Sequence, residues 1–320
     1  MLAGCGRPGA SAPTATVVAT RTANTPRGPV TIPANPQRLV AIYSHDLANA
    51  LALGLAVIAG PGENGQPGAP FPPYLVEAFG SRLDSVTRIA YRPELNFEQI
   101  ASLQPDVILS GIFGPYDPGY EKLDAIASTV TYHYSEGDQY VLVPWQTVLR
   151  INGEQFGREA AAEEWISRFE QRAADLRTRL ALRWAGTTFA VVEPLSDSVF
   201  LYGATSGHMP ITLSEKLGLK LADSVSRLLA EAGIQEQGGT RLSLERLGEI
   251  DADVLFVLIS AGATGTPDRS GFEVMTAQAL WATLPAVQSG HVYEITGDIF
   301  YESGPMAMAF LDVVERALLP

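Results

Sequence analysis

A chain of 320 residues, 46% of them hydrophobic and 18% charged, has the make-up of a globular protein and is long enough for two ordinary domains. Its net charge of −13 argues against a nucleic-acid partner, because phosphate backbones are held by clustered basic surface. Beyond the N-terminus no run of about 18 apolar residues predicts a transmembrane helix, and a single cysteine excludes an internal disulfide or a cysteine cluster for zinc or iron–sulfur.

That cysteine is Cys5, in Met1-Leu2-Ala3-Gly4-Cys5. An apolar residue, two small residues and a cysteine resemble the lipobox of bacterial lipoproteins, in which the cysteine becomes the mature N-terminus and its sulfur carries the lipid. The charged and apolar parts of a signal peptide do not precede it, so the given start is expected to lie inside the true signal. From Gly6 to Pro29 the chain is rich in Ala, Thr, Pro, Ser and Gly, with almost no large apolar side chain. Such a segment buries too little surface to offset its ordering entropy. Residues 1–29 are therefore expected to be an anchor and a disordered tether.

Val30-Thr31-Ile32 reads as a short strand stopped by Pro33, and Arg38 to Tyr43 as a buried parallel strand. Asp46 to Leu53 has helical spacing, with Gly54 as its C-cap, and Ala56 to Gly60 is the next strand. The unit recurs as a helix from Asn96, ended by Pro105, and the strand Asp106–Ser110. Helix Tyr120–Ala127 and strand Val130–Tyr132 follow. A long helical stretch then runs from Val143 to Trp184, clearest from Gly157 to Arg183, where Trp165, Phe169, Leu176 and Leu180 fall at helical spacing. Alternation resumes with strand Phe189–Val192, helices Thr212–Leu217 and Ser243–Gly248, strands Val254–Leu258 and Val292–Ile295, and a closing helix Pro305–Leu318. The predicted fold is α/β: two Rossmann-like lobes with mostly parallel central sheets joined by one long α-helix. The N-terminal lobe is placed at 30–142, the interdomain helical region at 143–185 and the C-terminal lobe at 186–320. A helical spine is stiff, so small lobe motion is expected.

The halves echo each other. Asn96-Phe97-Glu98 before Pro105-Asp106-Val107 and Ser243-Leu244-Glu245 before Asp253-Val254-Leu255 both read as a capped short helix, an acidic turn and a buried strand. No nucleophile elbow, His-Glu-x-x-His motif or phosphate-binding glycine loop occurs, so no catalytic residue is assigned and no enzyme is expected. His45, His133, His208 and His291 are widely spaced and favour no direct metal centre.

The segments NPQRLVAI with ALGLAVIAG, then RPELNFEQIASLQPDVIL, TRLSLERLGEIDADVLFV, LWATLPAVQSGHVYEI and SGPMAMAFLDVVERAL, in that order around a long helix, resemble the periplasmic binding proteins that serve ABC importers of iron–siderophore, heme and cobalamin. The resemblance spans nearly all of Val30 to Leu319. It implies an extracytoplasmic, monomeric, lipid-anchored protein that binds an Fe(III)–siderophore complex, needs no cofactor and passes its cargo to an importer permease. It further implies that Glu98 and Glu245, one on each lobe, contact importer arginines, and that Arg92 reaches into the cleft as in hydroxamate binders. An arginine suits that place because its planar donors address several chelate oxygens together.

Tyr91 beside Arg92 is expected to stack or to donate from its hydroxyl. Further cleft candidates lie at strand C-terminal ends, where open α/β sheets bind ligands: Tyr43, Ser44 and His45, then Phe113 and Tyr116, then Tyr202 and His208, with Arg241 ahead of the second Glu-bearing helix. Phe300 and Tyr301 fall where siderophore binders place aromatic residues, although Ile299 stands where a hydroxamate member has tryptophan. Few cleft cations are expected, Arg92 and Arg241 with Arg88 or Arg269, which favours a weakly charged chelate. Heme, with Tyr43, His45, Tyr91 or His208 as axial ligand, and cobalamin are the alternatives of the same fold. A metal-dependent enzyme on a two-lobed scaffold is the alternative of another class.

Overall fold

The computed structural model describes residues 19–113, 119–136, 141–234, 238–260, 268–296 and 303–319. The first element is an antiparallel hairpin of β1 (Thr20–Thr25) and β2 (Gly28–Pro33), in register from Thr20 opposite Pro33 to Thr25 opposite Gly28. Gly28 takes φ 110°, a turn conformation that favours glycine. The hairpin thus occupies the part of the expected tether from Thr20 to Pro29.

The N-terminal lobe is a six-stranded sheet of β3 (Leu39–Ala41), β4 (Val57–Pro61), β5 (Thr87–Ile89), β6 (Val107–Phe113), β7 (Thr129–Glu136) and β8 (Val141–Leu142), ordered β5-β4-β3-β6-β7-β8. Every pairing is parallel except β7 with β8, which are joined too closely for a crossover. Helices α1 (Ser44–Ala52), α2 (Pro73–Phe79), α3 (Phe97–Ser102) and α4 (Tyr120–Asp124) make its connections. Side chains alternate between the two faces of the sheet. Leu39, Ala41, Val107 and Leu109 enter the main core, whereas Val40, Ile42 and Ile108 form a second cluster with Ile100 of α3 and Leu123 of α4.

The helical stretch expected between the lobes is two helices, α5 (Trp145–Phe156) and α6 (Glu159–Ala181). Gly157, at φ 65°, ends the first in the left-handed conformation, and Arg158 restarts the chain. α5 packs on β7 and β1, so it belongs to the N-terminal lobe and secures the hairpin. Gln155 Nε2 donates to Asn24 O at 2.7 Å and Thr131 O at 2.9 Å, and Ser128 Oγ donates to Thr31 O at 3.0 Å. α6 is the connecting helix. Its Ala162, Ile166, Phe169, Ala173, Leu176 and Leu180 make one buried stripe.

The C-terminal lobe contains β9 (Thr188–Pro194), β10 (Ser198–Tyr202), β11 (Lys220–Leu221), β12 (Gly239–Ser243), β13 (Val254–Ile259) and β14 (Val292–Thr296), ordered β12-β10-β9-β13-β14 with β11 beside β9. β11, β9, β13 and β14 form a parallel core, to which β10 and β12 add an antiparallel wing. Around it lie α7 (His208–Ile211), which runs into a π-turn at Thr212–Lys216, α8 (Asp223–Glu231), α9 (Ser270–Thr276) and α10 (Pro285–Gln288). The last helix, α11 (Gly304–Leu318), packs along α6 and also against α1 and α2 of the other lobe. Arg172 pairs with Asp312 at 3.1 Å and with Glu315, Arg179 pairs with Glu315, and Trp184 Nε1 donates to Leu318 O at 2.7 Å. α6 is thus the one long helix that joins the lobes, and α11 packs beside it across both.

Candidate functional site

The C-terminal ends of β3, β4, β5, β6 and β7 bring chain segments together at one edge of the N-terminal sheet. Tyr43 leaves β3 and is the N-cap of α1, and Tyr91 and Arg92 follow β5. The chain reaches Arg92 through a loop held by Gly65 O, which accepts from Tyr91 N and Arg92 N at 3.1 Å each. Gly65 must be glycine for two reasons: its φ is 66°, and a Cβ there would lie 2.3 Å from the Tyr91 ring.

Four of the predicted residues form a continuous column. The Arg92 guanidinium lies 5.8 Å from the Tyr91 ring centre. Tyr91 meets Tyr43 edge-on at 5.1 Å, and Tyr43 stacks on His45 at 5.4 Å with the planes 15° apart. Arg92 is exposed and has no ion pair among the described residues, whereas Tyr43 and His45 are buried. The column continues inward from His45 to Tyr132 of β7, edge-on at 6.4 Å.

The inner end rests on Asp46, which is fully buried. Its carboxylate accepts from Tyr132 Oη at 2.5 Å, from Tyr43 N at 2.9 Å and from Gly111 N at 3.1 Å. Burial pushes the Asp46 carboxyl up to about 7, against the opposing pull of these donors, Tyr132 foremost. Burial also pushes His45 down to about 3, so the imidazole is neutral. His45 Nε2 lies 3.6 Å from Asp46 Oδ1, and Gly111 leaves room for the His45 ring. Asp46, Gly111 and Tyr132 were not among the sequence-predicted site residues. The one sequence signal for them was an acid in the first turn of a helix that follows a buried strand.

The C-terminal lobe contributes a smaller polar group. Tyr202 is the last residue of β10, a strand of its own and not part of a loop after β9, and its hydroxyl donates to Glu193 Oε2 at 2.7 Å; Ser260 Oγ donates to the other Glu193 oxygen. Arg241 of β12 is exposed, opposite Phe200 in the ladder, with no ion pair among the described residues. The other cation candidates are engaged elsewhere. Arg269 pairs with Glu294, with Nη2 to Oε1 at 2.9 Å. Arg88 lies over Phe71 at 5.9 Å in a groove of about 500 Å³ that Val76, Leu83 and Val86 also line, at the outer edge of the sheet. His208 is buried at the start of α7 beside Phe169 and Phe310, and burial pushes it down to about 4.

Glu98 and Glu245 are both exposed in the first turn of their helices. Asn96 caps the first by accepting from Gln99 N at 2.9 Å. The second is a 3₁₀ helix that Ser243 does not cap. Its own backbone amide and the Ser243 hydroxyl instead bond the Glu245 carboxylate and lower its pKa. Cys5, Tyr116, Phe300 and Tyr301 lie outside the described residues, as does the side chain of Phe113. Among the described residues no three His, Cys, Asp or Glu converge as metal ligands, and no helix is long and apolar enough to cross a membrane.

An exposed guanidinium on an aromatic column, facing outward from a buried carboxylate, is suited to holding an oxygen-rich planar or chelated ligand. The chain is 28% identical over 290 residues to the probable siderophore-binding lipoprotein YfiY of Bacillus subtilis, covering 90% of this chain and 84% of that one. It is 25% identical to the iron(3+)-hydroxamate-binding protein FhuD of the same organism, covering 88% and 80%. Staphylococcus aureus SirA, solved with staphyloferrin B, shares the fold with a TM-score of 0.69 at 20% identity over 93% of this chain and 98% of that one. The model of the periplasmic binding proteins matches residues 63–299, and the chain belongs to that family.

Proposed function

We propose that this protein captures a ferric siderophore outside the cytoplasm and delivers it to an ABC importer, without catalysing a reaction. The observation that carries the reading is the Arg92–Tyr91–Tyr43–His45 column, with a cation free of ion pairs among the described residues at its outer end. The names of relatives along almost the whole chain support the same cargo class. A weakly charged chelate of the hydroxamate type is favoured over a catecholate, because Arg269 is neutralised by Glu294 and Arg88 sits in the outer groove. That leaves Arg92 and Arg241 to meet anionic oxygens. Of the axial ligands considered for heme, Tyr43, His45 and His208 are buried, which leaves Tyr91 alone to serve it. Glu98 and Glu245 dock the permease, Cys5 carries the lipid anchor, and the protein acts as a monomer.

The test is a fluorescence-quenching titration of the purified protein with ferric hydroxamates, ferric catecholates, heme, cobalamin and Zn²⁺. A ferric hydroxamate should bind most tightly. Arg92→Ala should weaken it by about 30-fold, the loss of one charge-assisted contact of about 2 kcal/mol. Tighter binding of heme or cobalamin than of any siderophore would replace this reading, and an unchanged Kd in Arg92→Ala would remove Arg92 from it.

A further inference from the structure

From the hydrogen bonds at its inner end, we infer that Asp46, held by Tyr132, is a positioning residue for the binding column and sets the pose of Arg92 without touching the ligand. The inference rests on the capture reading above. Asp46 joins three neighbouring strands. Tyr43 N lies just beyond β3 at the N-cap of α1, Gly111 N is in β6 and Tyr132 Oη in β7, and one carboxylate accepts from all of them. A carboxylate with several fixed donors has one orientation, so these three segments are held in a single relative arrangement.

What the carboxylate fixes is the footing of the column. Tyr43, whose amide it holds, is the ring that stacks on His45 and meets Tyr91. Tyr132, whose hydroxyl it holds, is the ring beneath His45. His45 is closed in on another side by Gly111, where a Cβ would come 2.8 Å from its Nε2. Each ring is thus located by a neighbour, and the chain of neighbours runs from Asp46 to the exposed Arg92 guanidinium. An arginine on a loop would otherwise lose rotamer freedom on binding, and a pre-set ring beneath it removes part of that cost.

The decisive variant is Tyr132→Phe, which keeps the ring and removes one donor; Asp46→Asn is the stronger second variant. In the ligand-free protein, amide spectra should show Tyr132→Phe displacing the Tyr91 and Arg92 resonances while those of β13 stay in place. A purely structural role would lower the melting temperature and leave Tyr91 and Arg92 unmoved, and that result overturns the inference. In the binding arm the probe is ferric desferrioxamine B. Tyr132→Phe should bind it about five-fold more weakly, and in an Arg92→Ala background the further loss should shrink below about two-fold, since the column then carries no cation. Equal loss in both backgrounds, or none in either, also overturns it. If the unaltered protein binds none of the ferric siderophores, the capture reading fails, and the amide spectra still decide the positioning role.

Discussion

Gly111→Ala tests whether the site wall is as closely packed as the column requires. Alanine there would place a methyl carbon 2.8 Å from His45 Nε2 and 3.2 Å from Tyr132 Cζ and Oη. Neither ring can swing into solvent, because His45 is 2% exposed and Tyr132 is 0% exposed. Overpacking of this kind costs about 1–3 kcal/mol, and the reduced freedom of the unfolded chain returns about 0.5–1 kcal/mol. The net loss should be about 1–2 kcal/mol, or roughly 0.5 M in the urea midpoint for a slope near 3 kcal/mol/M. Gly248→Ala is the control, since its methyl would meet Leu280 and Thr283 at ordinary distances of 3.4 and 3.5 Å; it should stay within about 0.5 kcal/mol of the parent. In a His45→Ala background the space is vacated, so Gly111→Ala should cost less than about 0.5 kcal/mol. An unchanged midpoint for Gly111→Ala, or the same loss in both backgrounds, would refute the packing argument.

The buried titratable groups give stability opposite pH dependences. His45 and His208 have pKa values lowered from 6.5 to about 3 and about 4, so their contribution is present above pH 6.5 and lost as pH falls towards those values. Asp46 is raised from 3.8 to about 7, so its contribution is present below pH 3.8 and lost as pH rises to 7. Melting curves from pH 4 to 7 should therefore show His208→Gln less acid-sensitive than the parent and Asp46→Asn more so, and parallel curves would contradict the assignment. Glu315→Gln breaks the pairs with Arg172 and Arg179 between α11 and α6. These side chains are partly exposed, so the loss should be about 1 kcal/mol and should shrink in 1 M salt; a salt-independent loss would mean that packing, not charge, is responsible. Charge reversal of Glu98 and Glu245 together should abolish siderophore uptake by cells while ligand affinity stays unchanged, and normal uptake would discard the docking role.

The parts of the fold that could be read in the sequence are those whose cause is local. Leu39–Ala41, Val107–Leu109 and Val254–Leu258 are unbroken apolar runs because both faces of a parallel sheet are covered, and each is a strand. Of the hairpin Thr20–Pro33, only Val30–Ile32 in its second strand could be read this way, and the first strand could not. The first strand's side chains are largely polar, and the hairpin is held by Gln155 and Ser128, far away in sequence. The break between α5 and α6 depends on one glycine in the left-handed conformation within a stretch of otherwise continuous helical composition. The site divides along the same line. Tyr43 and His45 were legible as residues that follow an apolar strand, whereas Arg92 came from the family resemblance and Tyr91 as its neighbour, because β5, three residues long and mostly exposed, carries no apolar run. Asp46 was not legible, because its role depends on Tyr132, 86 residues away. A buried aspartate and a capping aspartate look alike until that partner is known.

Packed beside α6 across both lobes, α11 changes what the two-lobed plan can do. Gly304, at the start of α11, packs near Trp145 and Trp165, Asp312 meets Arg172, Glu315 meets Arg172 and Arg179, and Leu318 meets Trp184. The contacts ascend together along both chains, so α11 lies parallel to α6 for most of its length. Bending the lobes about α6 would have to shear this ladder, including the buried row Phe310, Leu311 and Val314. A single helix resists bending through its own hydrogen bonds, whereas a packed pair resists through side-chain interdigitation as well. Large hinge closure of the kind seen when strands link two lobes is thereby opposed. In the capture reading, Glu98 and Glu245 then keep a nearly fixed separation whether or not cargo is bound. Occupancy is then signalled to the importer by the segments beyond the strands that touch the cargo, and in the N-terminal lobe the Asp46-anchored column is such a segment, tied by one carboxylate to three strands.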